Sequence, residues 1–582
     1  MNALRASLVG LMGAALAAFA AAAPQRAAAQ PVANLRAKQE LVVSANPYAS
    51  EAGLRTLREG GGAVDAAIAV QLVLTLVEPQ SSGVGGGAFM LFYGAPRKSA
   101  PAAITAYEGR ETAPAAATPD MFMSNGRAEG FGAVGVGGLA VGVPGAMRML
   151  ELAHRDHGRL PWAKVFAPAI EIAERGFAVS PRLFQLLNGF KRFARGEDFR
   201  RYFYEENGEP HPVGYVLKNP EYAAALRELA AEGVEPLYTG DLAAAIAAKV
   251  QSNNVRPGRM TAEDLAKYRA RATQPLCSAY RSWRVCGPQL PSSGGVTTQQ
   301  VLGMLGAFDL AKLRTEPAQA IHLFVEANRL AFADRTLYLG DPEFVPAPVA
   351  ELLSPAYLRD RAALIDPNKA LTNVVAGAPR PGVAWEFAPG AAAERPSTSH
   401  FSIADRFGDA VAMTTSVQGA FGSQLMVGGF ILNNQLTDFA YVPEVGGKPV
   451  ANRIEGGKRP LSSMAPTMLL DEQGRLRLLV GSPGGTHIIG FVAQSVVGFV
   501  DWQQTVQQAV AAPHYLAEGG PVELEQDTDV VAQRAALEAL GHTIALRDLN
   551  SGLHAIAIDY TRRGRVLSAG VDPRREGAAR GD

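Results

Sequence analysis

A threonine hydroxyl inside a chain is a poor nucleophile with no base beside it, but a threonine at a new N-terminus carries its own. An α-amino group titrates at about 7.7, so at neutral pH part of it is unprotonated and can take the hydroxyl proton directly or through water. Thr398 stands where this would matter, at the point where Ala391-Ala-Ala-Glu-Arg-Pro-Ser397 meets a new sequence pattern. Scission between Ser397 and Thr398 would create such a residue; the alternative is an ordinary Ser-Thr-Ser start of a strand.

Cys277 and Cys286 flank a stretch in which a two-residue turn at Arg281-Ser282 would pair 280 with 283, and so 277 with 286. Opposed strand positions bring Cβ atoms within disulfide range, so the two are either a disulfide or two buried thiols; no His-containing Cys motif makes them catalytic. Gly481-Ser-Pro-Gly-Gly485 reads as a tight strand-to-helix turn and not a phosphate loop, because no G-K-[ST] follows. His154 and His157 lie in a charged, surface-like run, and no H-E-x-x-H is present, so no metal site is expected. The absence of G-x-S-x-G argues against an α/β-hydrolase.

The elements that must position these groups fall into two patterns. From about 38 to 395 the chain reads as mostly helical, with 3.6-residue periodicity at 51–60, 61–71, 140–154, 162–175, 220–231, 243–251 and 316–338. From Thr398 three strand–polar turn–strand signals follow, at 400–416, 467–480 and 554–567, with helical patterns at 490–511 and 529–540. That is an antiparallel α+β module. Upstream, Arg5 precedes a small or apolar run from Ala6 to Ala23, and Ala27-Ala28-Ala29 follows, which describes a secretory signal peptide over 1–29 rather than an uncleaved anchor. No later apolar stretch is long enough to span a bilayer. The expected location is therefore periplasmic or secreted. With 55 Lys+Arg against 55 Asp+Glu in 582 residues and no basic block, nucleic acid is not an expected partner.

Thr398-Ser-His-Phe-Ser-Ile-Ala-Asp405, Gly429-Phe-Ile-Leu-Asn-Asn-Gln-Leu-Thr-Asp-Phe439, Lys458-Arg-Pro-Leu-Ser-Ser-Met-Ala-Pro466 and Gly481-Ser-Pro-Gly-Gly485 are similar, in order and spacing, to the motif series of the gamma-glutamyltransferases, also called glutathione hydrolases. Upstream, Glu78-Pro-Gln-Ser-Ser-Gly-Val-Gly-Gly-Gly87, Glu108-Gly-Arg-Glu-Thr-Ala-Pro114, Val143-Pro-Gly145 and Pro291-Ser-Ser-Gly-Gly295 resemble the large-subunit motifs, and Asp572-Pro-Arg-Arg-Glu-Gly577 the family's end. The resemblance implies an N-terminal nucleophile hydrolase: an αββα sandwich of two stacked antiparallel sheets between helical layers. It also implies a precursor that cuts itself between Ser397 and Thr398 into a helix-rich fragment, 30–397, and a strand-rich fragment, 398–582, which stay together as a heterodimer.

Residue by residue, the resemblance makes Thr398 the nucleophile, assisted by the hydroxyl of Ser416 where the family usually has Thr. It makes Gly484 and Gly485 the donors to the oxyanion. A γ-glutamyl group carries an α-carboxylate and an α-ammonium, so its site needs a cation and an anion placed apart: Arg110, with Ser462 and Ser463, for the carboxylate, and Asp438, with Gln435, for the ammonium. Gln418 stands where many members have Asn, and Thr437 replaces the first of an Asp-Asp pair. A similar Leu-Thr-Asp-Phe occurs in related acylases that cleave glutaryl groups from cephalosporins. The lid-like segment 439–458 is short, which would open the acceptor side.

The implied reaction is ping-pong acyl transfer from a glutathione-like small molecule to water or an amino acid, with no metal or cofactor. Two alternatives remain: a same-fold acylase acting on glutaryl or other acyl amides, and an unprocessed exported binding or scaffold protein.

Overall fold

The computed structural model describes residues 35–98, 100–390 and 394–582; the expected signal peptide at 1–29 lies outside them. Local rules set the first elements. Asn46 accepts the Tyr48 N–H at 3.1 Å and Pro47 follows as the first helical residue, which opens α1 (Pro47–Arg58); Gly60, at φ 98°, ends it. The next helix, α2 (Ala63–Val77), is buried along its whole length. Asp65 caps its start by accepting the Gly62 N–H at 2.7 Å. A helix apolar all round belongs in a core, and this one lies under a sheet.

Two seven-stranded sheets form the centre. Their strands are β1 (Arg36–Ala37), β2 (Leu41–Ser44), β3 (Gly87–Gly94), β4 (Ala103–Gly109), β5 (Arg271–Thr273), β6 (Leu276–Tyr280), β7 (Trp283–Gly287), β8 (Ser399–Ala404), β9 (Ala410–Ser416), β10 (Thr467–Leu470), β11 (Leu476–Gly481), β12 (His554–Thr561), β13 (Gly564–Val571) and β14 (Ala578–Gly581). One sheet runs β1-β13-β12-β11-β10-β7-β6 and the other β14-β2-β8-β9-β3-β4-β5, every neighbouring pair antiparallel.

Alternation along the strands builds three interfaces. Met90, Phe92, Phe401, Ile403, Val411 and Met413 pack in one core with α1, α2 and α3 (Ala146–His157). Phe89, Leu469, Leu478, Val480 and Ala555 pack in another with α4 (Ser293–Leu305), α5 (Pro317–Tyr338) and α6 (Ile488–Val500). In the seam between the sheets His400 bonds Thr414 Oγ1 of the neighbouring strand in its own sheet at 2.8 Å, and the Ser402 hydroxyl crosses to donate to the His554 carbonyl at 3.1 Å. The layers are thus helix, sheet, sheet, helix, an α+β sandwich. Among the described residues no helix is long and apolar enough to cross a membrane.

The three hairpins expected after Thr398 are β8–β9, β10–β11 and β12–β13. Helix predominates before it, as expected, but strands that the helical periodicity does not announce lie there too. Strands β2, β3 and β4 lie there, and β3 and β4 join β8–β9 in one sheet. The reason is burial on both faces: Ala88 to Tyr93 is a continuous apolar run, with no period to distinguish strand from helix. The helical pattern at 490–511 is likewise two helices, α6 and α7 (Val506–Ala511), the second capped by Thr505.

Candidate active site

Thr398 immediately precedes β8, in the middle of its sheet, and is 4% exposed. Its φ is 95°, a region that a β-branched residue avoids; holding it there costs about 1–3 kcal/mol unless neighbours over-determine it. They do. Its Oγ1 donates to Ser416 Oγ at 3.0 Å, and that oxygen also accepts the Gln418 N–H at 2.8 Å. Arg575 Nη1 donates to the Thr398 carbonyl at 3.2 Å, and the Ser397 hydroxyl to the Gln80 carbonyl at 2.7 Å.

The Ser397 carbonyl, which precedes the expected scissile nitrogen, accepts the Gly484 N–H at 3.2 Å. Gly484 sits at φ 139°, where a Cβ would lie 2.8 Å from Phe491; Gly485 sits at φ 62°, where a Cβ would lie 3.0 Å from the Arg395 carbonyl. Backbone this close to the chain ahead of Thr398 requires glycine.

Asp438 collects three donors: Gln418 Nε2 at 2.9 Å, Gln435 Nε2 at 2.7 Å and Arg110 Nη2 at 2.7 Å. The expectation that Arg110 and Asp438 stand apart therefore differs from the structure, in which they form a buried ion pair. Arg110 is fully buried and also donates to the carbonyls of Pro460 and Leu461, at 3.0 and 2.9 Å. A cation removed from water needs such partners, and Asp438 at 2.7 Å is nearer to it than Glu111 at 3.5 Å. Beside it, burial pushes the Glu111 carboxyl up to about 8 despite the Arg110 charge. Gln418 Oε1 and Gln435 Oε1 are buried with no hydrogen-bond partner, so two acceptors flank Asp438.

Ser462 lines the same small pocket, and Ser463 follows it in the chain. Ser293 donates to the Ser462 carbonyl through its N–H at 2.7 Å and its hydroxyl at 2.6 Å. The Ser463 hydroxyl donates to Glu394 Oε1 at 3.0 Å and accepts from Arg335 Nη2 at 2.9 Å. Thr398, Ser416, Gln418, Gln435, Asp438 and Ser462 line the pocket together with Glu394 and Arg395 of the preceding segment.

The structure thus gathers Thr398, Ser416, Gly484, Gly485, Gln418, Gln435, Asp438, Ser462 and Ser463 in one place. The gamma-glutamyltranspeptidase family model matches residues 49–581. The chain belongs to this family. Gamma-glutamyltranspeptidases are N-terminal nucleophile hydrolases, and the sandwich described above has their layer order. Two relatives bear the description glutathione hydrolase proenzyme. That of Escherichia coli (strain K12) is 36% identical over 90% of this chain and 89% of its own length; that of Bacillus subtilis (strain 168) is 34% identical over 94% and 92%. The crystal structure of a cephalosporin acylase from Bacillus halodurans superposes with a TM-score of 0.82 at 26% identity, covering 97% of this chain and 99% of that one.

Elsewhere in the chain, Cys277 and Cys286 are opposed on β6 and β7 and bonded at 2.06 Å, at the sheet edge and outside the pocket. His154 and His157 are half-buried rather than fully solvated: His157 stacks on Phe92 at 3.8 Å and His154 bonds the Leu160 carbonyl at 2.9 Å. The segment 439–458 carries a short hairpin, Glu444–Val445 with Lys448–Pro449. Sequence reasoning missed Arg335, Glu394 and Arg575. Arg575 lies in a motif noticed only as the family's end; Arg335, inside a long helix, gave no signal. Burial and the nearby Arg182 lower Arg575 to about 9.

Proposed function

We propose that the chain is a self-processing γ-glutamyl acyltransferase with Thr398 as its nucleophile. Thr398 Oγ attacks the Ser397 carbonyl carbon, the Ser397–Thr398 C–N bond breaks, and the Thr398 nitrogen leaves as a free α-amine. Water then hydrolyses the resulting ester, returning the hydroxyl to Thr398 and a carboxylate to Ser397. The products are the fragments 30–397 and 398–582, held together by sheets to which both contribute strands. Residues 1–29 are removed on export to the periplasm or medium.

In the second reaction the free amine takes the Thr398 hydroxyl proton, with Ser416 orienting the oxygen. The γ-amide carbonyl of a glutathione-like donor takes the place of Ser397, its oxyanion on the Gly484 and Gly485 amides. The amine product leaves, and water or an amino acid resolves the γ-glutamyl ester. Gln418 Oε1, Gln435 Oε1 and Asp438 receive the donor ammonium. Ser462 and Ser463 receive its carboxylate, with Arg110 as their cation once the ammonium shares Asp438. No step as written uses a metal or cofactor.

The observation that carries this reading is the 3.2 Å contact from Gly484 N to the Ser397 carbonyl, one residue from a hydroxyl already bonded to Ser416 at 3.0 Å. A denaturing gel tests it. Wild type resolves into two fragments and releases p-nitroaniline from γ-glutamyl-p-nitroanilide, whereas Thr398→Ala stays one band and is inactive. A single wild-type band after long incubation would instead support a binding or scaffold role. Glutaryl-p-nitroanilide turned over as fast as the γ-glutamyl donor would support the acylase reading and remove the ammonium contact from Asp438.

A further inference from the structure

Away from the pocket, three side chains able to ligate a metal meet inside the fold. His322 and Glu326 lie one turn apart on α5 and are fully buried; His542, which follows the short helix Arg534–Ala539, reaches them with 7% of its surface exposed. One nitrogen of each ring and one carboxylate oxygen lie within 4.8 Å of one another. None of the three lines the pocket around Thr398. No sequence motif announces the group, because its two histidines stand 220 residues apart.

Fixed partners aim these groups. His322 Nε2 lies 2.8 Å from the Asp366 carbonyl, which can only accept, so that nitrogen carries the proton and Nδ1 presents its lone pair. Nδ1 in turn lies 2.7 Å from His542 Nε2, while His542 Nδ1 lies 3.8 Å from Glu326 Oε1, too far for a hydrogen bond. Glu326 is held at both oxygens: the Leu371 N–H donates to Oε2 at 3.1 Å and Arg329 Nη1 to Oε1 at 2.7 Å. Ligand atoms on a tetrahedral zinc, each about 2.1 Å from the metal, are about 3.4 Å apart. The two His542 contacts stand on either side of that spacing, so a small turn of its ring would set one nitrogen opposite both neighbours.

We propose that His322, Glu326 and His542 form a site for a divalent transition metal of the zinc type. His322 binds through Nδ1, Glu326 through Oε1, and His542 through the nitrogen turned toward them; the proton the two rings share moves to the other His542 nitrogen, so both rings stay neutral. Two imidazoles and a carboxylate, with a position left for water, suit zinc, cobalt or copper. Magnesium and calcium, which take six or more oxygen ligands, fit poorly. Arg329 offsets the Glu326 charge, so the imidazoles make the selection. The site also spans the proposed cut: His322, Glu326, Asp366 and Leu371 precede Ser397 and His542 follows it, and beside them the Ala370 N–H donates to the Leu540 carbonyl at 2.7 Å. A metal here ties one fragment to the other. The tie rests on the proposed cleavage; the site itself does not.

The test uses metal-depleted full-length protein without an affinity tag, dialysed against zinc and assayed for bound metal. Wild type and the uncut Thr398→Ala should each hold about one zinc per chain. His542→Ala should lose it and keep the wild-type kcat on γ-glutamyl-p-nitroanilide. Zinc at about a hundredfold excess over its Kd should raise the wild-type Tm by about 2 °C, with no shift from magnesium and none in the variant. Cobalt in place of zinc should give the visible absorption of a tetrahedral site, bleached by added zinc. A wild type that holds no zinc, or zinc that remains in His542→Ala, overturns the proposal. If His542→Ala does not fold, His322→Gln is read the same way, and the wild-type zinc content decides by itself if neither folds. Zinc bound by a protein that neither cuts itself nor transfers γ-glutamyl groups would leave the site standing and remove the proposed activity; an active enzyme without zinc would do the reverse.

Discussion

Two hairpins hold pairs that sequence chemistry singles out, Thr398 and Ser416 at the ends of one and Cys277 and Cys286 on the other, and they differ in where they lie. Both read as strand, polar turn, strand. The hairpin β8–β9 is central, paired with β2 on one side and β3 on the other, and every residue of both strands is buried. The hairpin β6–β7 has β6 at the sheet edge, partly exposed, and is tied by the Cys277–Cys286 bond. An edge strand lacks a neighbour to hold it, and a covalent tie substitutes for one. A central strand is held from both sides, so it can tolerate a threonine at φ 95° and keep its hydroxyl on Ser416. Reactive geometry sits where the surroundings over-determine it.

The sharpest break in that contrast is at the centre. Gly484→Ala places a Cβ 2.8 Å from the Phe491 ring in a backbone conformation alanine resists, and shifts the amide that meets the Ser397 carbonyl. We expect cleavage, followed on a gel, to slow by about 10²–10³-fold, as for loss of an oxyanion donor; cutting at the wild-type rate would remove that amide from the mechanism. Next comes Asp438→Asn. KM for the γ-glutamyl donor should rise roughly 10- to 100-fold through loss of a charged partner, with a smaller change for the glutaryl donor. Equal rises would place Asp438 in the fold rather than in ammonium recognition.

The seam beneath the central hairpin sets a pH limit. Burial lowers His554 to about 4 and His400 well below its ordinary range. Both are neutral in the fold, whereas an unfolded histidine takes a proton near about 6.5. Stability is therefore full above that value and falls as pH drops toward 4, by up to roughly 3 kcal/mol from His554 alone. Denaturant titrations at pH 7.5 and 4.5 should show the loss, and a flat profile would mean the seam admits charge. The edge responds least. Cys277→Ser with Cys286→Ser should cost about 2–3 kcal/mol or less in thermal unfolding and leave kcat unchanged. A fall in activity would tie the edge to the pocket.

The same contrast explains what could be read in the sequence. The hairpins at 400–416, 467–480 and 554–567 were legible because polar turns punctuate them. Strand β3, which pairs with β9, was not, because an apolar run buried on both faces has no period. Thr398, the glycine pair and the serine pair stand out in the sequence as motifs, through the family resemblance. The Arg110–Asp438 pair joins residues 328 apart, and the Arg335–Glu394 pair joins a helix to the segment before Thr398; neither contact has a local signature.

N-terminal sequencing of the smaller fragment of purified wild-type protein tests the central claim most directly. The account predicts a start at Thr-Ser-His-Phe, residues 398–401, with the larger fragment ending at Ser397. A chain that remains whole, or a fragment starting elsewhere while the protein hydrolyses γ-glutamyl amides, would contradict Thr398 as the nucleophile.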